Sequence, residues 1–106
     1  MVAQTCLNAR SDLFKAVILN VPFLDIVSTL LDDSLPLSVT DYLELGNPLI
    51  DEKIYRVINS YSPYENLSKK EYPPTLMTIS VNDPRVPAWS SLKFVEKMRD
   101  MAKNPE

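Results

Sequence analysis

The chain has 106 residues, of which 45% are hydrophobic and 24% charged, a composition typical of one globular unit and not of a disordered segment. Its net charge is −3 and it has no basic run, which argues against binding nucleic acid through a charged patch. No apolar stretch approaches the roughly 20 residues that a membrane helix needs. We therefore expect one unit over 1–106, with neither a nucleic-acid nor a membrane partner.

Histidine and cysteine, which many catalytic and metal sites need, are scarce. The chain has no histidine and one cysteine, Cys6. Neither a Ser-His-Asp nor a Cys-His mechanism can be completed within it, and neither a histidine nor a thiolate zinc site can form. We expect no metal or cofactor, and we expect Cys6 to be a small core residue. Because no internal disulfide can form, a reducing compartment such as the cytoplasm is favoured.

The first third of the chain predicts a buried strand between helices. Residues 2–8 have the pattern of a helix end. Residues 16–21, AVILNV, form a continuous apolar run of strand length that Pro22 closes. Apolar residues at helical spacing predict a short helix over 23–31, and a loop is expected over 32–36.

The middle of the chain predicts two further helices. Ser38 and Asp41 have the S-x-x-D form of a capping box, for a helix that ends at the Gly-Asn-Pro of 46–48. Asp51 or a neighbour caps the next helix, which 61–64 terminates. The apolar side of that helix comprises Ile54, Val57 and Ile58.

The last third predicts a strand, a turn and a helix. Residues 75–81 are mostly apolar and β-branched, which suits a central strand with both faces covered. Asn82-Asp83-Pro84 is a turn pattern, and Pro87 suits a first helical turn. The expected helix ends at 104–105 and places Leu92, Val95, Met98 and Ala102 on one face.

Together these elements predict an α/β fold of two parallel strands joined by a right-handed crossover of helices. Two strands alone would leave both sheet edges unpaired. Strands as apolar as 16–21 and 75–81 require neighbouring strands, so we expect a piece of a larger α/β domain. Asp83 follows the second strand, at the end of an open α/β sheet where catalytic and ligand-binding residues lie.

Four segments in order resemble the prolyl oligopeptidase family of serine peptidases. They are NARSDLF at 8–14, NVPFLDIVSTLLDDSLPLSVTDYLELGNP at 20–48, SYSPYEN at 60–66, and NDPRVP at 82–87 with the helix that follows. The second is similar to the oligopeptidase B branch. The resemblance implies a fragment of an α/β-hydrolase fold, with two parallel strands, crossover helices and a C-terminal helix.

On this resemblance, Asp83 is the acid of a Ser-Asp-His triad and Arg85 contacts the substrate peptide. The alternative for Asp83 is a plain turn former or helix cap. The family's G-x-S-x-G-G elbow is expected before Met1 and its histidine beyond Glu106. We therefore expect a truncated chain that lacks the nucleophile, the histidine loop and the propeller domain, and whose partners are the rest of the hydrolase domain and the propeller.

The resemblance also implies a substrate pocket for basic residues. Asp41 and Glu44 are the acidic candidates, and Phe23 is a candidate lining residue. Alternatively, Asp41 caps a helix, Glu44 lies on a solvated face and Phe23 is core. Leu43 and Leu45 stand where the branch usually has Glu and Trp, which weakens the case for strictly basic specificity.

We therefore expect the chain to be part of a serine oligopeptidase that cleaves short peptides after basic residues. Two alternatives are an esterase or thioesterase on the same fold, and a short non-enzymatic product that binds the full-length protein. In each case we expect the isolated chain to be inactive and marginally stable.

Overall fold

The computed structural model describes residues 1–35 and 38–103, so the helix end predicted at 104–105 lies outside the described residues. The helices and the two strands follow one another in the predicted order. The helices are α1 (Val2–Ala9), α2 (Ile26–Leu30), α3 (Ser38–Leu45), α4 (Glu52–Tyr61) and α5 (Ala88–Met101), with a 3₁₀ turn at Ser11–Leu13. The strands are β1 (Val17–Asn20) and β2 (Thr75–Thr78).

The two strands pair in parallel, which confirms the predicted topology. Val17 aligns with Thr75, and Leu19 with Met77. Both strands are shorter than expected, and the described helices cover one face of the pair only. On the open face, Ile18 is 67% exposed. None of the described helices packs on that side, so the prediction that both faces are covered in a larger domain stays a prediction.

The strand shortening at β2 follows from the turn that comes after it. The amide of Asp83 donates to the carbonyl oxygen of Ser80 at 3.3 Å, so the backbone is already turning where a longer strand was predicted. At the matching end of β1, Val21 has φ of 44°, a strained value for a β-branched residue. Its amide donates to the carbonyl oxygen of Thr78 at 2.9 Å.

The two predicted middle helices are confirmed, with one correction to their caps. Asp51 precedes α4 and accepts a hydrogen bond from the Lys53 amide at 2.8 Å. Ser38 is already the first residue of α3, and its hydroxyl donates to the Thr29 carbonyl oxygen at 2.8 Å. The Ser38 side chain thus ties α3 to α2, a contact that the capping-box prediction did not foresee.

The buried side chains form two clusters. One lies between α1, the sheet and α5 and contains Leu7, Leu24, Leu67, Tyr72 and Phe94. The other joins α2 to α4 and contains Ile26, Val27, Leu30 and Ile58, with Phe23 and Tyr42 packed at its edge. These two clusters hold in place the segment after β1, which contains Phe23, and α3, which carries Asp41 and Glu44.

Two predictions about buried side chains are wrong. Phe94 is the large side chain of α5 that is fully buried, whereas Leu92 is 60% exposed, because the helix turns the Phe94 side toward the first cluster. Met98 and Ala102, of the same predicted face as Leu92, do pack against that cluster. Cys6 is exposed, since Gln4 and Leu7 occupy the buried side of α1. Among the described helices, none is both long and apolar enough to cross a membrane.

Candidate active site

Asp83 lies in the loop between β2 and α5, at the end of the sheet where the β1 strand also terminates. Its Oδ1 atom accepts hydrogen bonds from the backbone amides of Arg85 at 2.7 Å and Val86 at 3.0 Å. These bonds, first that of Val86 and then that of Arg85, hold the pKa of the Asp83 carboxyl below its ordinary value of 3.8. The carboxylate is therefore ionised at neutral pH and fixed in direction.

The hydrogen bonds to Asp83 leave one of its oxygens without a partner among the described residues. Both amides donate to Oδ1, and none of the hydrogen bonds in the described part of the chain reaches Oδ2. The loop geometry is an Asx-type turn, as the Asn-Asp-Pro pattern predicted. A carboxylate held by one oxygen can accept a further proton donor at the other.

The other predicted site residues lie on two separate segments. Arg85 is exposed on the Asp83 loop, and Glu44 is exposed on α3. Asp41, also on α3, and Phe23, after β1, are half-buried. No hydrogen bond or ion pair within the described residues connects the α3 carboxylates with the Asp83 loop.

The second hydrophobic cluster fixes the position of α3 relative to the segment after β1. Phe23 and Tyr42 both pack against it. The Tyr42 hydroxyl donates to the Leu30 carbonyl oxygen at 2.8 Å, and burial, followed by the nearby charges of Asp33 and Asp32, raises its pKa above 10.0. The hydroxyl therefore remains a donor at neutral pH, and it holds α3 against α2.

An ion pair that the sequence did not reveal lies just after β1. Asp25 is fully buried, and its Oδ2 atom pairs with the Lys93 ammonium of α5. Its Oδ1 atom caps α2 by accepting from the Ser28 amide at 3.2 Å. A buried carboxylate needs such a partner, but Lys93 is far away in the chain and only the fold brings the two together.

Metal chemistry has no matching set of ligands in the described part of the chain. No three His, Cys, Asp or Glu side chains there gather into a group that could hold a metal ion. What the described residues offer is an oriented carboxylate, a neighbouring arginine and two further carboxylates on α3.

Comparison with known proteins identifies the class. The prolyl oligopeptidase family matches residues 1–106. The chain has the fold of part of an α/β-hydrolase domain: oligopeptidase B from Leishmania major superposes on 97% of it with a TM-score of 0.93 and 38% identity, and the chain covers 14% of that protein. The chain thus belongs to the prolyl oligopeptidase family of serine peptidases.

Curated relatives agree with this assignment. The chain is 40% identical over 104 residues to the Prolyl endopeptidase-like protein of Xenopus laevis, matching 98% of this chain and 15% of that protein. It is 41% identical over 92 residues to Protease 2 of Moraxella lacunata, matching 87% of this chain and 13% of that protein. The predicted resemblance is confirmed, and the chain spans about one seventh of the length of these relatives.

Proposed function

We propose that residues 1–106 form the acid-bearing part of the catalytic domain of a serine oligopeptidase, and that Asp83 is the acid of its Ser-His-Asp triad. The observation that supports this role most strongly is the Asp83 carboxylate itself. It follows a strand of a parallel sheet, and two backbone amides fix its Oδ1 atom. The free Oδ2 atom can accept the Nδ1–H of a histidine that other parts of the domain supply.

The depressed pKa of Asp83 suits this role. A triad aspartate holds the histidine in the correct tautomer and stabilises the imidazolium that forms when histidine takes the proton of the serine. It must therefore be ionised at neutral pH, which the amides of Val86 and Arg85 ensure. The aspartate performs no bond making by itself, so this chain, which has no histidine, is inactive alone.

We propose that Arg85 contacts the backbone of the substrate peptide, and that Asp41 and Glu44 favour a basic side chain next to the cleaved bond. Arg85 is exposed two residues from Asp83, which supports a contact near the reacting bond. Carboxylates bind guanidinium and ammonium groups by charge-assisted hydrogen bonds. Phe23 would line the same pocket, because it packs on the cluster that also holds α3.

The partners of this chain are then the peptide substrate and the remaining parts of the peptidase. The open face of the sheet supports this arrangement, since Ile18 and Leu76 are aligned on it and are 67% and 60% exposed. Apolar residues on a strand pair of this kind need cover. We expect the remainder of the hydrolase domain to pack there, with a propeller domain beside it, in the cytoplasm.

The first test asks which polypeptide carries this sequence. An antibody against 83–100 is used to blot extracts of the source cells and to capture the native polypeptide. A band several times larger than 12.1 kDa supports the proposal. A band near 12.1 kDa instead favours a short product that binds other proteins.

The second test measures the reaction. The captured polypeptide is assayed with an arginyl amide and with a simple ester, and the purified 106-residue chain is the matched control. We expect the captured polypeptide to cleave the arginyl amide and the 106-residue chain not to, because that chain has no histidine to act as the catalytic base. Ester cleavage without amide cleavage would identify an esterase on the same fold.

A further inference from the structure

The ion pair between Asp25 and Lys93 joins the segment after β1, at the start of α2, to the first half of α5. Asp25 is 0% exposed and the Lys93 side chain is 34% exposed, so the pair lies at the border of the core. Removing either partner from such a pair leaves the other charge without compensation. The pair therefore resists any displacement of α5 away from the segment that joins β1 to α2.

A third segment, the turn after α4, contacts this ion pair through Tyr64. The Tyr64 amide donates to the Leu24 carbonyl oxygen at 3.0 Å. The ammonium of Lys93 lies 4.4 Å from the centre of the Tyr64 ring and that of Lys97 lies 4.2 Å from it, within the range of cation–π attraction. Lys97 also donates to the Tyr64 carbonyl oxygen at 2.8 Å.

The position of α5 determines where the Asp83 carboxylate lies. The helix begins directly after Pro87, and the amides that hold Asp83 belong to Arg85 and Val86, immediately before that proline. Trp89, in the first turn, lies 5.1 Å from the Lys93 ammonium, measured to its ring centre. A shift of the first half of α5 is thus transmitted to the Asp83 loop through a rigid Val-Pro connection.

We propose that Asp25 and Lys93 are positioning residues for Asp83, which they hold at the C-terminal end of the strands without contacting substrate. This inference rests on the proposed role of Asp83 as the triad acid. A purely structural pair would stabilise the whole fold evenly. A positioning pair acts on the Asp83 loop more than on the strands, and that difference can be measured in the 106-residue chain itself.

The test uses four variants of the full 106-residue chain. Asp25→Asn removes the charge yet keeps an oxygen that can cap α2, and Lys93→Met removes the ammonium but keeps the stem. Lys93→Arg is the conservative rescue, because it restores the charge. Lys97→Met is the matched control on the same helix, since Lys97 contacts Tyr64 but not Asp25.

A fifth variant, Phe94→Leu, reduces the packing of α5 without touching the pair, and it controls for a general loss of stability. Amide exchange is measured by NMR, and the rates at Arg85 and Val86 are divided by the rate at Val17, whose amide donates to Pro74 between the strands. The titration of the Asp83 carboxyl is followed in the same samples. This ratio separates opening of the loop from opening of the whole fold.

We expect Asp25→Asn and Lys93→Met to raise the ratio about tenfold and to move the Asp83 pKa towards its ordinary value, since local opening free energies respond to the loss of a buried partner. Lys93→Arg restores the ratio, Lys97→Met leaves it unchanged, and Phe94→Leu raises it by less than either pair variant does. An equal rise in Phe94→Leu or Lys97→Met, or an unchanged ratio in both pair variants, overturns the proposal. So does failure of both pair variants to fold where Phe94→Leu folds.

These readouts require no turnover. If the captured polypeptide proves inactive while the ratio rises as expected, the proposed function fails and the mechanical link between the pair and the Asp83 loop stands. If the polypeptide is active and the ratio does not move, the positioning role fails alone.

Discussion

Replacing Gly46 with alanine should destabilise the chain strongly, because Gly46 ends the helix that carries Asp41 and Glu44. Its φ is +88°, in the left-handed region that costs an L-residue about 1–2 kcal/mol. A Cβ atom there would lie 2.8 Å from Cγ2 and 3.0 Å from Cδ1 of Ile54, and overpacking of this kind costs about 1–3 kcal/mol. We expect a total loss of about 2–5 kcal/mol, a large fraction of the stability of a small domain.

The two parts of this cost can be separated with Ile54→Ala, which removes the methyl groups that the new Cβ would meet. Urea unfolding is followed by the fluorescence of Trp89, the one tryptophan of the chain, with sucrose added to strengthen the folded baseline. In the Ile54→Ala background, Gly46→Ala should cost only the backbone part, about 1–2 kcal/mol. A cost below about 0.5 kcal/mol in the natural background, or the same cost in both backgrounds, would refute this explanation.

Three further predictions concern the core, a cap and pH. Phe94→Ala should lower the free energy of unfolding by about 3–5 kcal/mol in urea, because Phe94 is fully buried. Leu92→Ala, at a position 60% exposed, should change it by no more than about 0.5 kcal/mol. Equal losses in the two variants would contradict the assigned buried side of α5. Asp51→Ala should cost about 1 kcal/mol and Asp51→Ser much less, since serine can still cap α4; equal losses would argue against the cap. The pKa of Asp83 is lower in the folded chain, so its contribution to stability is fully present above pH 3.8 and is lost as pH falls through the lower folded pKa. The urea midpoint of Asp83→Asn should therefore change less between pH 5 and pH 2 than that of the natural chain. Midpoints that change equally with pH in both proteins would contradict the assigned cause.

Local sequence patterns predicted most of the fold. The apolar runs that became β1 and β2 and the acid that caps α4 are all encoded within a few neighbouring residues. The end of α3 at Leu45 agrees with the prediction because Gly46 can adopt the positive φ at which a helix ends. The two strands were also expected to pair in parallel, since the crossover between them is long and helical.

Contacts between distant parts of the chain could not be predicted. Asp25 stands in an apolar run, where a buried carboxylate needs a partner, but no local feature of the α5 sequence assigns Lys93 to it. Leu92 was wrongly placed on the buried side of α5, because Leu92 and Phe94 both fit a helical repeat and only the position of the first cluster selects Phe94. Asp83 was predicted as a site residue through the family's motif; its hydrogen bonds required the structure.

The central claim is that Asp83 supplies the acid of a serine-peptidase triad. It is tested most directly by introducing Asp83→Asn into the source cells and measuring arginyl-amide hydrolysis by the polypeptide that the antibody against 83–100 captures. The mutated residue lies in the epitope range, so capture is first checked to be equal for both forms. We predict that kcat falls about 10⁴-fold while the polypeptide keeps its size and abundance. An unchanged kcat would remove Asp83 from the mechanism.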